Sequence, residues 1–471
     1  MRDIPKGTPG KGVSIVKETK SAMLRMTEGN TVKLLLLFSV PMLIGNIFQQ
    51  LYNLVDSIIV GQFVGADALA AIGATSSLSF LFFALCNGIG GGGGIITSQL
   101  FGKGDEGAVK SCIANTGYIM IVFPMMIGMT AFFLSKSILR LLDTPEAIMA
   151  DSVAYVRIMC VGLAFVSLYN YAASMLRALG DSRTPLLFLI FSCLLNTALD
   201  LLFVYTFHMG VRGAGIATVI SQFVSGMSCL AYAIKKNRYF RLTREDMRFN
   251  REIAKDVVRL GVPISLQFSL IAISCMALQK VVNSFGEVTV AAFTATSRIE
   301  QIIHQPYQTL GAALSTYTGQ NYGAKKMDRV KMGYHKGLLL MLLFSAMMLP
   351  VMQFFGQGII RIFVSEEPVI EIGAKALRIT SWFYVMLGMI YVVRGVLNGL
   401  GDAVFAMING IVEALGRFIV PALLVGLPAF GLWGIWWSVG IVWAASGVTA
   451  VMRYWYFKWK IQRKMEQEKA V

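Results

Sequence analysis

The chain has few charged residues for its length. Only 14% of its 471 residues are Asp, Glu, Lys or Arg, whereas 56% are hydrophobic, and the mean hydropathy is +0.64. A soluble protein of this size needs more charge than this to cover its surface. The composition therefore excludes a soluble globular protein and predicts an all-α integral membrane protein.

Cysteine and the usual catalytic and nucleotide-binding motifs are also scarce or absent. The six cysteines lie in or beside apolar runs without metal-ligand spacing, which favours reduced packing residues over a metal site. The sequence contains no HExxH, no paired metal-ligating histidines, no recognisable Ser/His/Asp set and no GxxxxGK[ST]. These absences disfavour a membrane-embedded enzyme and ATP-driven transport, and no cofactor is expected.

Twelve apolar runs alternate with polar gaps, and each run is long enough to cross a bilayer as a helix. Their approximate ranges are 33–60, 69–99, 113–135, 152–176, 185–207, 213–234, 259–284, 288–318, 334–355, 372–398, 404–426 and 431–457. Of 42 Lys and Arg residues, 31 lie in or beside the terminal segments and even-numbered gaps, and seven lie in or beside odd-numbered gaps. The positive-inside rule predicts that both termini are cytoplasmic. This distribution argues against a nucleic-acid partner, despite the formal charge of +16.

The two halves of the chain share residues at a constant offset of 221 positions. The matched sets are Ala74-Thr75-Ser76 with Ala295-Thr296-Ser297, Gln99 with Gln320, Gly102 with Gly323, and Leu179-Gly180-Asp181 with Leu400-Gly401-Asp402. One offset across separate segments indicates duplication of a six-helix unit. Because six is even, both copies enter the membrane in the same orientation. We therefore expect 12 transmembrane helices in two parallel-repeat six-helix bundles, an architecture typical of transporters.

The predicted organisation has five parts. They are a cytoplasmic tail (1–30), an N-lobe bundle (31–234), a cytoplasmic linker (235–258), a C-lobe bundle (259–457) and a second cytoplasmic tail (458–471). The linker is rich in Lys and Arg and carries Phe249, Ile253 and Val257 at helical spacing. This pattern predicts an amphipathic helix on the membrane surface, with a solvated linker as the alternative for the first half.

Glycines are concentrated in the second apolar run, at Gly88 and from Gly90 to Gly94. A phosphate-binding loop would need a following Lys-Ser/Thr, whereas this run continues as an apolar helix. The glycines therefore favour close helix packing or a hinge.

Polar side chains inside the first half suggest a functional site. Gln49 and Asp56 lie seven residues apart and Asn196 and Asp200 lie four apart, so that each pair shares a helix face. A carboxylate within a bilayer is costly unless it faces protein or water. Oxygen donors from several helices can bind Na⁺, and neighbouring buried carboxyls favour uptake of a proton. Either use would explain these acids, and hydration near the span ends is the alternative.

Charged residues also lie within the second half, where they could be structural ion pairs. Alternatively, the acids among them could attract a cationic substrate. Arg394 lies in the tenth run, and no acid lies inside the seventh or tenth run. The candidate substrate-cavity residues from both halves are Gln49, Asn170, Arg298, Glu300, Glu413 and Arg417. For Gln49 and Asn170, interhelical hydrogen bonding is the alternative.

Several linked motifs resemble the multidrug and toxic compound extrusion (MATE) transporters over about residues 31–457. They are Pro41 with Gln49 and Asp56, LRALGDSRTP (Leu176 to Pro185), NTALD (Asn196 to Asp200), GAGIATVISQ (Gly213 to Gln222) and QNYGA (Gln320 to Ala324). The resemblance implies an N-lobe cation site and a bending proline in the first helix. The implied site residues are Asp56, Asn196, Asp200 and Thr218, with Tyr155 close by, and the proline is Pro41. The C-lobe Na⁺ site of some bacterial members is not expected, because its acids are missing here.

The resemblance implies a monomeric secondary antiporter in the cell membrane, surrounded by lipids. It would export amphipathic, cationic organic compounds in exchange for H⁺ or Na⁺. An alternative with similar architecture is a lipid-linked oligosaccharide flippase. That function would require a strongly cationic cavity for pyrophosphate, whereas most intramembrane bases here have nearby acids.

Overall fold

The computed structural model describes residues 24–470, apart from the side chains of residue 66 and residues 458–470. This part of the chain contains α-helices and no β-strand. The expected tail 1–30 therefore lies mostly outside the described residues, and only the backbone is described for most of the tail 458–471.

The first half forms six helices that are long and apolar enough to cross a membrane. They are α1 (Thr31–Phe63), α2 (Ala66–Lys103), α3 (Glu106–Leu141), α4 (Glu146–Ala178), α5 (Arg183–Asp200) and α6 (Gly210–Lys236). Helix α5 continues directly into a π-helical turn, Leu201–Thr206. The predicted fifth apolar run therefore corresponds to α5 and this turn together.

The second half repeats the six crossings with one of them broken. Its helices are α7 (Arg251–Asn283), α8 (Glu287–Gly323), α9 (Met327–Arg361), α10 (Glu367–Ser381), α11 (Tyr384–Gly399), α12 (Ala403–Val425) and α13 (Gly434–Ala470). Helices α10 and α11 meet at a 52° bend and together make one span. Helix α8 lacks an apolar stretch like those of the other long helices, but its 37 residues rise roughly 55 Å, enough to cross. The predicted all-α, twelve-span fold is confirmed.

The linker between the halves does not form a helix of its own. Helix α6 ends at Lys236, a 3₁₀ turn covers Arg238–Phe240, and α7 begins only at Arg251. Ile253 and Val257, which the sequence assigned to a surface helix, lie in the first two turns of α7, where Val257 is fully buried. The amphipathic spacing thus belongs to the start of a transmembrane helix that packs on α2.

Helix α1 packs with both halves of the molecule. Leu35 and Phe38 are fully buried in the hydrophobic core formed by second-half helices, whereas Ile59 and Val60 pack in a first-half cluster. Pro41 lies between these two stretches, and the helix continues through it to Phe63. The first helix begins at residue 31 as expected, but its first turns pack in the core of the C-lobe.

Helices α2 and α7 cross at close range between the lobes. A methyl group added at Gly88 would lie 2.5 Å from the main-chain nitrogen of Ser265, and one at Gly92 would lie 2.5 Å from that of Gly261. Only a residue without a β-carbon allows this approach. The glycine-rich stretch of α2 serves close helix packing, as the sequence predicted.

A second contact between the lobes joins residues related by the duplication. Near the ends of α2 and α8, Gly102 packs on the carbonyl of Gln320, and Gly323 packs on the carbonyl of Gln99. Since successive helices cross the membrane in alternate directions, both ends lie on the side where α1 begins. The lobes are therefore closed on that side, which we call the terminal side.

Substituting Gly92 with Ala should destabilise the protein, because the added methyl group would overlap the α7 backbone and overpacking costs about 1–3 kcal/mol. Gly91→Ala is a matched control in the same turn, since its nearest neighbour would be 4.0 Å away. Thermal unfolding in detergent should show a lower Tm for Gly92→Ala and no loss for Gly91→Ala. Equal Tm values would contradict the packing.

Candidate functional site

Two carboxyl groups meet inside the N-lobe. Asp56 comes from α1 and Asp200 from the last residue of α5, and their carboxyls lie within hydrogen-bonding reach of each other. Asp200 is fully buried, and one oxygen of each carboxyl is buried without a hydrogen-bond partner among the described residues. Two carboxyls at this range can hydrogen-bond only if one carries a proton, and they can otherwise share a cation.

The polar residues of α5 and α6 complete this arrangement. With the Asn196 amide oriented so that its oxygen accepts from the main-chain N–H of Thr218 at 3.1 Å, its nitrogen donates to Asp200 Oδ2 at 2.7 Å. The Thr218 hydroxyl donates to the carbonyl of Ala214 at 3.0 Å, which leaves oxygen lone pairs for other partners. The predicted i, i+4 face of α5 is therefore correct.

Two tyrosines enclose the acids, and the sequence analysis identified only one of them. Tyr155 of α4 is buried and lies within electrostatic range of both carboxyls. Tyr52, one helical turn before Asp56, lies close to the same acids, and its hydroxyl is 3.5 Å from the Thr218 hydroxyl. The i, i+4 spacing of Tyr52 and Asp56 could have indicated this residue, because such positions share a helix face.

A small cavity lies next to the polar residues that contact the acids, with room for about one water molecule. Its lining includes Gln49, Tyr52, Asn196, Thr218 and Gln222. Gln49 thus lines an N-lobe cavity two helical turns before Asp56. The backbone of α5 also departs from regular α-helix directly after Asp200, and π-helical turns are frequent at functional sites.

Asn170 is bonded within its own helix. It is 7% exposed, and its side-chain amide donates to the carbonyl of Val166 at 2.9 Å. This bond is not the interhelical one considered as the alternative, and the substrate role of Asn170 stays a prediction.

The C-lobe contains a buried ion-pair network instead of an acid pair. Glu413 accepts from Arg394 at 2.6 Å and lies 3.8 Å from Arg417, with all three side chains at most 10% exposed. Arg394 also donates to the side chain of Asn409, and a Gln267 oxygen accepts from Arg394 Nε at 3.0 Å. The network joins α7, α11 and α12, and the cross-helix pair of Arg394 with Glu413 was not evident from sequence.

The remaining charged candidates lie on α8 and do not form one group. Arg298 is exposed, whereas Glu300 carries a buried oxygen without a hydrogen-bond partner among the described residues. Glu300 lies close to Thr380 and within electrostatic range of Arg417. His304 packs edge-on against Trp443, with ring centroids 5.4 Å apart. In the described part of the chain, no group of three or more His, Cys, Asp or Glu residues could hold a metal.

A family model matches the chain twice. The model, described as MatE, covers residues 41–202 and 263–423. The two matches start and end at nearly the offset that relates the halves, so the duplication is independently supported. The chain belongs to the MatE family.

Relatives of this MatE chain are described as multidrug resistance proteins and MATE transporters. The chain is 32% identical to a probable multidrug resistance protein, YpnP, of Bacillus subtilis (strain 168), over 93% of this chain and 98% of the relative. A solved structure of MATE in the bent conformation matches with a TM-score of 0.88 and 25% identity, over 97% of this chain and all of that chain. An outward-facing multidrug resistance MATE transporter matches with a TM-score of 0.86 and 25% identity, over 95% and 99% of the two chains.

Replacing Glu413 with Gln should destabilise this MatE protein, because it leaves two buried arginines without a counter-charge. Loss of one partner from a buried pair costs about 3–5 kcal/mol. The control is Glu367→Gln, which removes an equally short pair with Arg361 at 2.7 Å, but one whose side chains are 57% and 64% exposed. Exposed pairs contribute about 0–1 kcal/mol. Thermal unfolding should separate the two variants, and similar Tm values would refute a stabilising role for the buried network.

Proposed function

We propose that this protein is a secondary antiporter that exports amphipathic, cationic organic compounds across the cell membrane in exchange for H⁺ or Na⁺. The observation that carries the proposal is the pair of carboxyls at Asp56 and Asp200. Neither acid forms an ion pair with a Lys or Arg in the described part of the chain. A proton or a sodium ion is therefore the natural counter-charge for the pair.

The proposed coupling residues have distinct roles. Asp56 and Asp200 would bind the ion or proton, the Thr218 hydroxyl would supply a further oxygen ligand, and the Asn196 amide would position Asp200 by donating to its Oδ2. Tyr155 would exclude water from the acids through its buried ring. Because Asp56 and Asp200 belong to different helices, an ion between them would draw α1 toward α5 and oppose their mutual repulsion.

Helix α1 would transmit ion binding at Asp56 to the relative position of the two lobes. Its later turns carry Asp56, its first turns pack in the C-lobe core, and Asn46 donates to Gln305 of α8 at 2.9 Å. Pro41 lacks an N–H and weakens the helix where it passes between the lobes. Ion binding would thus favour one arrangement of the lobes, and a substrate with higher affinity for the other arrangement would be exchanged against the ion.

The flippase alternative receives less support from the C-lobe. A pyrophosphate site needs available positive charge, whereas Arg394 and Arg417 are both engaged by Glu413. Relatives described as multidrug resistance or export proteins favour organic compounds as substrates.

We further propose that the protein works as a monomer with both termini cytoplasmic.

Asp200→Asn and Asp56→Asn should each abolish ion-driven efflux, because the amide cannot supply the negative charge that binds the ion. Efflux of a fluorescent organic cation from proteoliposomes, with pH and Na⁺ gradients imposed separately, measures this and identifies the ion. Asp67→Asn, an exposed acid in the first turn of α2, is the control and should transport normally. Unchanged efflux in Asp200→Asn would show that Asp200 does not couple ion movement to transport.

Alternating access predicts that a crosslink on the terminal side stops transport. A β-carbon added at Gly319 would lie 3.1 Å from that of Ser98 in the other lobe, close to the roughly 3.5–4.5 Å of a disulfide. In a chain lacking the exposed Cys275, Ser98→Cys with Gly319→Cys should lose efflux on oxidation and regain it on reduction. Ser98→Cys alone is the control. Full transport by the crosslinked protein would exclude lobe separation on this side.

A further inference from the structure

The first described residues of the chain lie across the junction between the lobes on the terminal side. The main-chain N–H of Leu24 donates to the carbonyl of Gly180 in the N-lobe at 3.1 Å. Two residues later, the main-chain N–H of Met26 donates to Gln320 Oε1 in the C-lobe at 2.9 Å. Met26 is fully buried in the C-lobe core. This short segment therefore contacts both lobes where they are closed.

Three C-lobe side chains hold the backbone of the segment. Asn321 donates to the carbonyl of Met26 at 3.0 Å. Arg329 donates to the carbonyls of Met26 and Gly29, both at 3.1 Å. Lys326 donates to the carbonyl of Thr27 at 3.1 Å. Two of the three donors are cationic, and hydrogen bonds from charged donors are stronger than those between neutral groups.

Gln320 connects the segment to the lobe contact itself. While its oxygen accepts from Met26, its nitrogen donates to the carbonyl of Ala178 in the N-lobe at 3.0 Å. Gln99, the equivalent residue in the first repeat, makes the corresponding contact by donating to the carbonyl of Gly399 at 2.8 Å. Among the described residues, the terminal segment bonds to Gln320 and not to Gln99.

At Gly180 the segment approaches so closely that no side chain would fit. Gly180 has a φ of +89°, and an added methyl group would collide with the carbonyl of Leu24. The Leu-Gly-Asp turn after α4 is therefore shaped by this contact as well as by its own conformation. Separation of the lobes on the terminal side must break the Gln320 to Ala178 bond, and with it either the Leu24 to Gly180 bond or the bonds that hold residues 26–29 to the C-lobe.

We propose that residues 24–29 act as a clasp that holds the lobes together on the terminal side and has to release before they part there. Arg329 is the main anchor of the clasp, because it donates to two clasp carbonyls and to Asn321 Oδ1 of the C-lobe. The inference rests on the proposed function in one respect, because it requires that the lobes separate on this side.

The clasp can be tested by the accessibility of the buried lobe contact. Ser98 is 1% exposed, so a cysteine placed there should react with a hydrophilic maleimide only when the lobes part. In the Ser98→Cys, Cys275→Ser chain, Arg329→Gln should raise the labelling rate about tenfold or more, since it removes charge-assisted hydrogen bonds. Met26→Pro, which removes the main-chain donor to Gln320 and the buried Met26 side chain, should raise the rate at least about threefold.

Lys331→Gln is the matched control, because it removes a positive charge two residues from Arg329 and the Lys331 ammonium bonds to Asp328 instead of to the clasp. Its labelling rate should stay within about twofold of the parent, and thermal unfolding checks that each variant is folded. If the parent is labelled and neither Arg329→Gln nor Met26→Pro is labelled faster, the clasp is overturned and the proposed antiport function is unaffected. No labelling in any chain would overturn lobe separation, and the clasp with it.

Discussion

The structure is organised around two carboxyl groups that lie together inside the N-lobe and form no ion pair with a base among the described residues. Placing one carboxylate inside a membrane protein is already unfavourable, and a second one beside it adds repulsion. Asp56 and Asp200 nevertheless lie within hydrogen-bonding reach, and Asn196, Thr218 and two tyrosines surround them. A bound proton or cation would relieve this repulsion, and under the proposed function the conformation of the lobe would follow ion occupancy.

Helix α1 connects the acid pair of the N-lobe to the C-lobe. One end of the helix holds Asp56, and the other end is buried in the core of the C-lobe with Leu35 and Phe38. A change in the shape or position of α1 must therefore alter contacts in both lobes. The proline at position 41 lies at the transition, where the loss of one backbone hydrogen bond makes bending easier.

The duplicated halves have diverged in their buried charges. In the N-lobe, Asp56 and Asp200 face each other with no ion pair to a base among the described residues, whereas in the C-lobe Glu413 is paired with Arg394 and Arg417. The C-lobe arrangement ties three helices together. The same ancestral unit thus carries two different buried charge arrangements, although the repeat-related glycines of each lobe still pack on the other lobe on the terminal side.

The sequence determined the features that depend on local pattern. Hydropathy gives the membrane crossings, because a bilayer requires long apolar helices, and the constant offset gives the duplication. Helical periodicity places Asn196 and Asp200 on one face, and the glycines of α2 indicate close packing. The family resemblance, resting on linked short motifs, assigned Asp56 and Asp200 to one site before any distance was known.

Only the tertiary structure decided which residues from distant helices meet. Tyr52 joins the acids because α1 and α6 pack together, and Arg394 pairs with Glu413 because α11 and α12 present them to each other. The start of α1 enters the C-lobe, and residues 24–29 cross the lobe junction, although the sequence assigned these stretches to the N-lobe and to a tail. Such contacts depend on how helices pack in three dimensions, and hydropathy and spacing along one chain carry no information about that packing.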